Sequence, residues 1–299
     1  MNCSVDRRRF LKTTGAFGAA VAMSSLGARR LVAAEAGPGA PNAKKLGWTL
    51  CCSAYSFNQL TFCEAIEKVK ALGLNSIEGF NWQALAKDKP GVKTDSAMSD
   101  ADRKEMRKRL SDAGVRLDVC YLNAMNDEAV CRQSFDWLSD LGVGIVVGEP
   151  PLGAYDMIEK LCDEYKINLA IHNHPSPSTY FDPATVAKVC RDRGKRIGCC
   201  ADTGHWVRSG FDPVEALKLL EGRVFMFHLK DVDSFGKKEA ECVPWGTGKG
   251  SIAAILREMR RQKFQGVFSI EYEPYRPENF AKIAECIAFF DRTAADLAG

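Results

Sequence analysis

The 299-residue chain contains four histidines, His172, His174, His205 and His228. Each closes or closely follows a short apolar, β-rich run. Acids stand in the same kind of place: Glu78 after Ser76-Ile77, Glu149 after Val147-Gly148, Asp202 after Cys200-Ala201 and Glu271 after Ser269-Ile270. A charged group directly after a buried strand is costly unless water, a counter-charge or a metal ion receives it. Two or three carboxylates with one or two imidazoles form a donor set suited to Mn2+, Co2+, Zn2+ or Mg2+. A hydrogen-bonded polar rim holding no ion is the other use of the same residues.

The elements that must position these residues follow from the hydrophobic pattern. Runs of about six apolar residues, read as strands covered on both faces, occur at Trp48–Ser53, Leu74–Gly79, Val115–Tyr121, Val143–Gly148, Ile167–His172, Ile197–Asp202, Val224–Leu229 and Val267–Glu271. Helical segments alternate with them. Thr61 and Glu64 form a capping box, while Asp182-Pro183 and Asp212-Pro213 place an N-cap acid before a first-turn proline. Gly73, Gly114, Gly142 and Gly266 read as left-handed helix ends. Eightfold βα alternation predicts a (β/α)8 TIM barrel, a single domain over residues 47–299. A doubly wound sheet is disfavoured because the first turn carries no dinucleotide glycine fingerprint. Trp245-Gly246-Thr247-Gly248-Lys249-Gly250 misses the phosphate-loop spacing and reads as a flexible loop entering the seventh helix. In the barrel, all four histidines fall at the ends of strands five to seven, on the face where such barrels carry active sites.

Charge separates the chain into two parts. Its formal net charge is +3, but residues 1–36 hold six basic residues (Arg7, Arg8, Arg9, Lys12, Arg29, Arg30) against two acidic ones (Asp6, Glu35). The remainder is near neutral at −1, with no Lys/Arg run to attract a nucleic acid. Arg7-Arg8-Arg9-Phe10-Leu11-Lys12, a short weakly apolar stretch and Ala34-Glu35-Ala36 predict a twin-arginine signal peptide over 1–36 and a periplasmic or other extracytoplasmic location. That apolar stretch is too short to span a membrane. A Gly/Pro linker is expected over 37–46. Twelve cysteines include the vicinal pairs Cys51-Cys52 and Cys199-Cys200, whose members should point to opposite faces of a strand and act as buried thiols.

Three motifs in order, Asp202-Thr203-Gly204-His205, Phe227-His228-Leu229-Lys230-Asp231 and Ile270-Glu271-Tyr272-Glu273, resemble those of the xylose isomerase-like barrels, the sugar phosphate isomerase/epimerase superfamily. The resemblance implies one divalent ion held by Asp202, His228 and Glu271. Where the family offers a strand-five glutamate this chain has Ile171-His172-Asn173-His174, so Glu149 is expected to supply the fourth ligand, with His172 as ligand or acid/base. A strand-four glutamate with a histidine-rich fifth strand is similar to inosose dehydratases and keto-glycoside-cleaving members.

The implied chemistry is proton abstraction beside a carbonyl, giving a metal-dependent sugar isomerase or epimerase. A lyase or dehydratase is the alternative, and a non-catalytic carbohydrate-binding barrel the second. His172, His174 and Glu271 are the catalytic candidates. His205, Lys230 and Glu273 are expected to contact substrate, and Tyr55, Phe57, Trp206 and Trp245 could pack on a sugar. The partner is a small sugar or keto-sugar. The long connections 80–98 and 231–250 could close over it or meet a second copy in a homo-oligomer.

Overall fold

A computed structural model describes residues 37–299. The leader expected over 1–36 lies outside them. Strands β1 (Thr49–Ser53), β2 (Ser76–Phe80), β3 (Arg116–Tyr121), β4 (Ile145–Gly148), β5 (Asn168–Ile171), β6 (Ile197–Asp202), β7 (Val224–Leu229) and β8 (Val267–Ile270) are all parallel. They close a barrel in which every strand neighbours its sequence neighbours and β8 returns to β1. This is the TIM barrel that the βα alternation predicts. The helices are α1 (Phe62–Ala71), α2 (Asp100–Ala113), α3 (Glu128–Asp140), α4 (Tyr155–Tyr165), α5 (Pro183–Arg191), α6 (Thr203–Arg208), α7 (Pro213–Leu219), α8 (Ile252–Arg261) and α9 (Asn279–Ala298). None among the described residues is long and apolar enough to cross a membrane.

The local signals explain where these elements begin. Thr61 and Glu64 make the reciprocal capping box at α1, and Asp182 and Asp212 cap α5 and α7 ahead of their prolines. Gly73, Gly114 and Gly142 are left-handed as expected, but Gly266 is not: the left-handed residue after α8 is Lys263. Gly266 is needed for space instead, because a Cβ there would lie 2.6 Å from the Phe225 carbonyl oxygen.

The core has two layers. Cys51, Val119, Val147, Ala170, Cys200 and Met226 fill the barrel interior, while Cys52 and Cys199 face outward into the layer beneath the helices. Each vicinal pair is thus split across its strand, as the pleat requires. All eleven cysteines among the described residues are free and buried.

Three connections depart from the pattern read in the sequence. The 80–98 stretch folds into an antiparallel hairpin, Ala84–Ala86 against Lys89–Lys93. The 231–250 stretch opens with a two-residue ladder, Asp231–Val232 against Cys242–Val243. Its glycine-rich end is pinned: the buried Asp231 carboxylate accepts the backbone N–H groups of Gly246, Gly248 and Gly250 at 2.7–3.0 Å. Residues 37–46, expected as a linker, include a 3-10 turn over Ala43–Leu46 and are tied to α9 by two Asn42–Asp291 hydrogen bonds of 2.7 and 2.8 Å.

Candidate metal centre

Parallel register brings the chemistry together. Asp202, the last residue of β6, pairs with His228 of β7, and His172 and Glu271 stand one residue past β5 and β8. One ligand atom from each of His172, Asp202, His228 and Glu271 lies within 4.8 Å of the other three, and all four residues are buried. His172 Nε2 is 3.4 Å and His228 Nδ1 3.7 Å from Asp202 Oδ2, and His228 Nδ1 is 2.9 Å from Glu271 Oε2. Asp202 Oδ2, His228 Nδ1 and Glu271 Oε2 make no aligned hydrogen bond. Buried polar atoms are almost always paired; the two oxygens have the Lys230 ammonium at 2.9 and 2.8 Å as counter-charge, and His228 Nδ1 faces the same point. Two imidazole nitrogens and two carboxylate oxygens at this spacing fit a divalent ion with bonds of about 2.0–2.2 Å.

A carboxylate holds each imidazole from behind. Glu78, reaching across the barrel from β2, places Oε1 2.7 Å from His228 Nε2, and its Oε2 accepts from Ser269 Oγ at 2.6 Å. Glu149 places Oε1 3.1 Å from His172 Nδ1. Such partners fix the ring orientation and leave the opposite nitrogen for a metal. Burial pulls both imidazoles down, but the charges around them outweigh it and hold both above the usual histidine range. The acids respond in the opposite sense. Burial raises Asp202 and Glu271, and the charges beside them, His228 on Glu271 and the Lys230 ammonium on both, push the two well below the carboxylate range.

Glu149 does not take the fourth ligand place expected of it. It leaves β4 pointing along the rim, where it also accepts the His174 backbone N–H at 2.9 Å and Ser178 Oγ at 2.6 Å. His172 stands in the four-residue cluster instead, its ring turned inward from β5. Asn173 locks the turn through two hydrogen bonds with the Asp202 backbone, at 2.9 and 3.0 Å.

Lys230, expected to contact substrate, lines the cavity and is ringed by acids. Its side chain is 1% exposed, and Nζ lies 2.9 Å from Asp202 Oδ2, 2.8 Å from Glu271 Oε2 and 3.0 Å from Glu273 Oε1. Glu273 is shared with Arg208, 2.8 Å away. His205 sits between the two cations, with Lys230 Nζ 3.3 Å from Nε2 and Arg208 3.1 Å from Nδ1. Burial first, then these cations, hold it well below the usual range and therefore neutral. A ring with a donor group at each nitrogen is poorly placed to bind an ion, although its nitrogens lie near those of His172 and His174. His174 is half exposed at the mouth, with Nδ1 turned to Glu149.

Above the donors opens a cavity of about 290 Å3. Its polar side carries the histidines, Lys230, Glu271 and Glu273; its other side is an aromatic wall of Tyr55, Phe80, Trp82 and Tyr121. Neighbouring rings in the wall meet at 4.6–5.8 Å, mostly edge to face, and Tyr121 continues the contact to His172 at 5.5 Å.

Residues 153–293 match the xylose isomerase-like TIM barrel family. The xylose isomerase-like stretch contains all four donors and leaves out the aromatic wall and Glu78. No curated protein sequence matches this chain. Among solved structures, an uncharacterised protein of Parabacteroides distasonis is 29% identical with a TM-score of 0.66, over 82% of this chain and 99% of its own. A xylose isomerase-like TIM barrel protein of Mycobacterium smegmatis, solved with magnesium, is 16% identical with a TM-score of 0.67, over 84% and 98%. A D-tagatose 3-epimerase-like protein is 15% identical with a TM-score of 0.64, over 83% and 98%. At the latter two identities the likeness shows the fold.

Of the aromatics expected near a sugar, only Tyr55 lines the cavity. Phe57, Trp206 and Trp245 are buried in the packing instead. Phe80, Trp82 and Tyr121 went unrecognised in the sequence. Phe80 and Tyr121 end β2 and β3, so the strand-end rule that marks the histidines would have found them.

Proposed function

We propose that the protein is a divalent-metal-dependent isomerase or epimerase that removes a proton next to the carbonyl of an unphosphorylated sugar or keto-sugar. The observation that carries this reading is the convergence of four buried ligand atoms, on His172, Asp202, His228 and Glu271, beneath an amphipathic cavity. His172, Asp202, His228 and Glu271 would hold the ion, which when bound supplies Lewis-acid stabilisation of charge developing on substrate oxygens.

The remaining roles belong to the chain. His172 is engaged at both nitrogens, so the acid/base role passes to His174, whose Nε2 is free at the mouth while Glu149 steadies Nδ1. The aromatic wall covers the apolar face of a sugar and keeps water from it. Lys230 is the one lysine or arginine lining the cavity, and three carboxylates already surround it. A phosphate dianion would find no free counter-charge there. Folded export through the twin-arginine route, proposed from the leader residues, agrees with a substrate that carries no phosphate.

Metal analysis followed by incubation with free ketoses and a 3-keto-glucoside in D2O tests the reading. One divalent ion per chain and metal-dependent deuterium uptake at carbon are expected. Aglycone release from the keto-glucoside would reassign the reaction to the lyase, and absence of both after metal reconstitution would overturn the enzyme reading.

A further inference from the structure

Lys230 shares its two closest oxygens, Asp202 Oδ2 and Glu271 Oε2, with the candidate donor set. We propose that Lys230 is a built-in counter-cation of the centre, which holds the carboxylates together when no ion is bound and weakens the grip on the ion when one is. The proposal rests on the metal-binding reading above.

The lysine is fixed in place by the residues around it. Thr203 Oγ1 accepts from the Lys230 backbone N–H at 3.0 Å and donates to its carbonyl at 2.9 Å. Gly204 lies against the stem so closely that a Cβ there would sit 2.6 Å from Lys230 Cβ. Asp231, the next residue, is anchored by the glycine-rich loop. The backbone and stem of Lys230 are therefore held, with its ammonium aimed at the carboxylates. Thr203 and Gly204, two letters of the Asp-Thr-Gly-His motif, serve to seat it.

Charge gives the direction of the effect. Glu78, Glu149, Asp202, Glu271 and Glu273 bring five carboxylates to the site, and Lys230 and Arg208 supply two positive charges. A divalent ion would offset most of the excess. Without the lysine the empty site is more repulsive and the filled one more attractive, since like charges close together in a buried site repel strongly.

The test compares wild type with Lys230→Met and Lys230→Gln, each stripped with a chelator, titrated with Mn2+ by calorimetry and melted with and without Mn2+. Both variants should melt below stripped wild type, bind Mn2+ at least tenfold more tightly, and gain more in Tm on loading. Lys230→Gln retains an N–H donor without the charge and gives the comparison if Lys230→Met folds poorly. Unchanged or weaker Mn2+ affinity, with stripped and loaded forms destabilised in parallel, would overturn the role of Lys230 alone. Failure of wild type to bind either Mn2+ or Zn2+ would overturn the metal reading as well.

Discussion

Glu78 and His228 are 150 residues apart in sequence, yet Glu78 Oε1 lies 2.7 Å from His228 Nε2, on the ring edge opposite the orphaned Nδ1. The carboxylate thereby selects which nitrogen faces the donor set. Glu78→Gln should weaken binding of Mn2+ or Zn2+ by about 10- to 100-fold, the usual cost of losing such a partner. Competition against a chromophoric chelator measures this directly. An unchanged affinity would mean that packing alone orients the ring.

Trp82 is 36% exposed at the rim and contacts Phe80 at 4.6 Å and Tyr121 at 5.8 Å. It touches none of the donors, so Trp82→Ala should act on sugar binding. A five- to tenfold rise in KM is expected, roughly 1–1.4 kcal/mol, with kcat altered less than twofold. A fall in kcat at constant KM would place the tryptophan in the chemical step.

The barrel strands and helix caps could be read in the sequence because they depend on local signals. Ile197–Asp202 and Val224–Leu229 match their strands to the residue, and the caps at Thr61, Asp182 and Asp212 depend only on residues next to them. Strand ends could be read too, which is how His172, Asp202, His228 and Glu271 were singled out. Which atom faces which could not. Glu149 and His172 both follow strands by one residue, and only the rotation of each side chain decides that one supports while the other points inward. The partners of Lys230 lie on other strands, brought near by closure of the barrel.

Burial should also govern the cysteines. It pushes Cys190 and Cys200 up to about 11, and Cys162 and Cys286 up to about 12. Thiolate is the reactive form, and these thiols are both protonated and inaccessible. A thiol reagent at pH 8 should therefore modify none of the eleven described cysteines in the native chain, and all of them in denaturant. Peptide mapping after labelling reports each site, and rapid native labelling of any of them would show that its surroundings open.

Glu64 offers a pH-dependent check on the cap of α1. Its hydrogen bond with Lys87, and then that with the Thr61 backbone, lower it to about 2. Lys87 is 79% exposed, so solvent screens that pair and the cap carries most of the effect. A depressed carboxylate stabilises the fold above its unfolded value and loses the contribution as pH falls through the folded one. Glu64→Gln keeps a capping acceptor but loses the charge at the start of α1, so it should cost about 0.3–1 kcal/mol at pH 7, and the gap to wild type should narrow between pH 4.5 and 2 in urea melts.

The cavity joins two walls encoded in different stretches of the gene. Residues 153–293, the part that matches the family, contain all four candidate donors, while the aromatic wall comes from residues 55–121. Glu78 and Glu149 reach across that division to support the two imidazoles. Descendants of this chain could thus vary the aromatic wall in the first half while keeping the donor set in the second, provided Glu78 and Glu149 are retained.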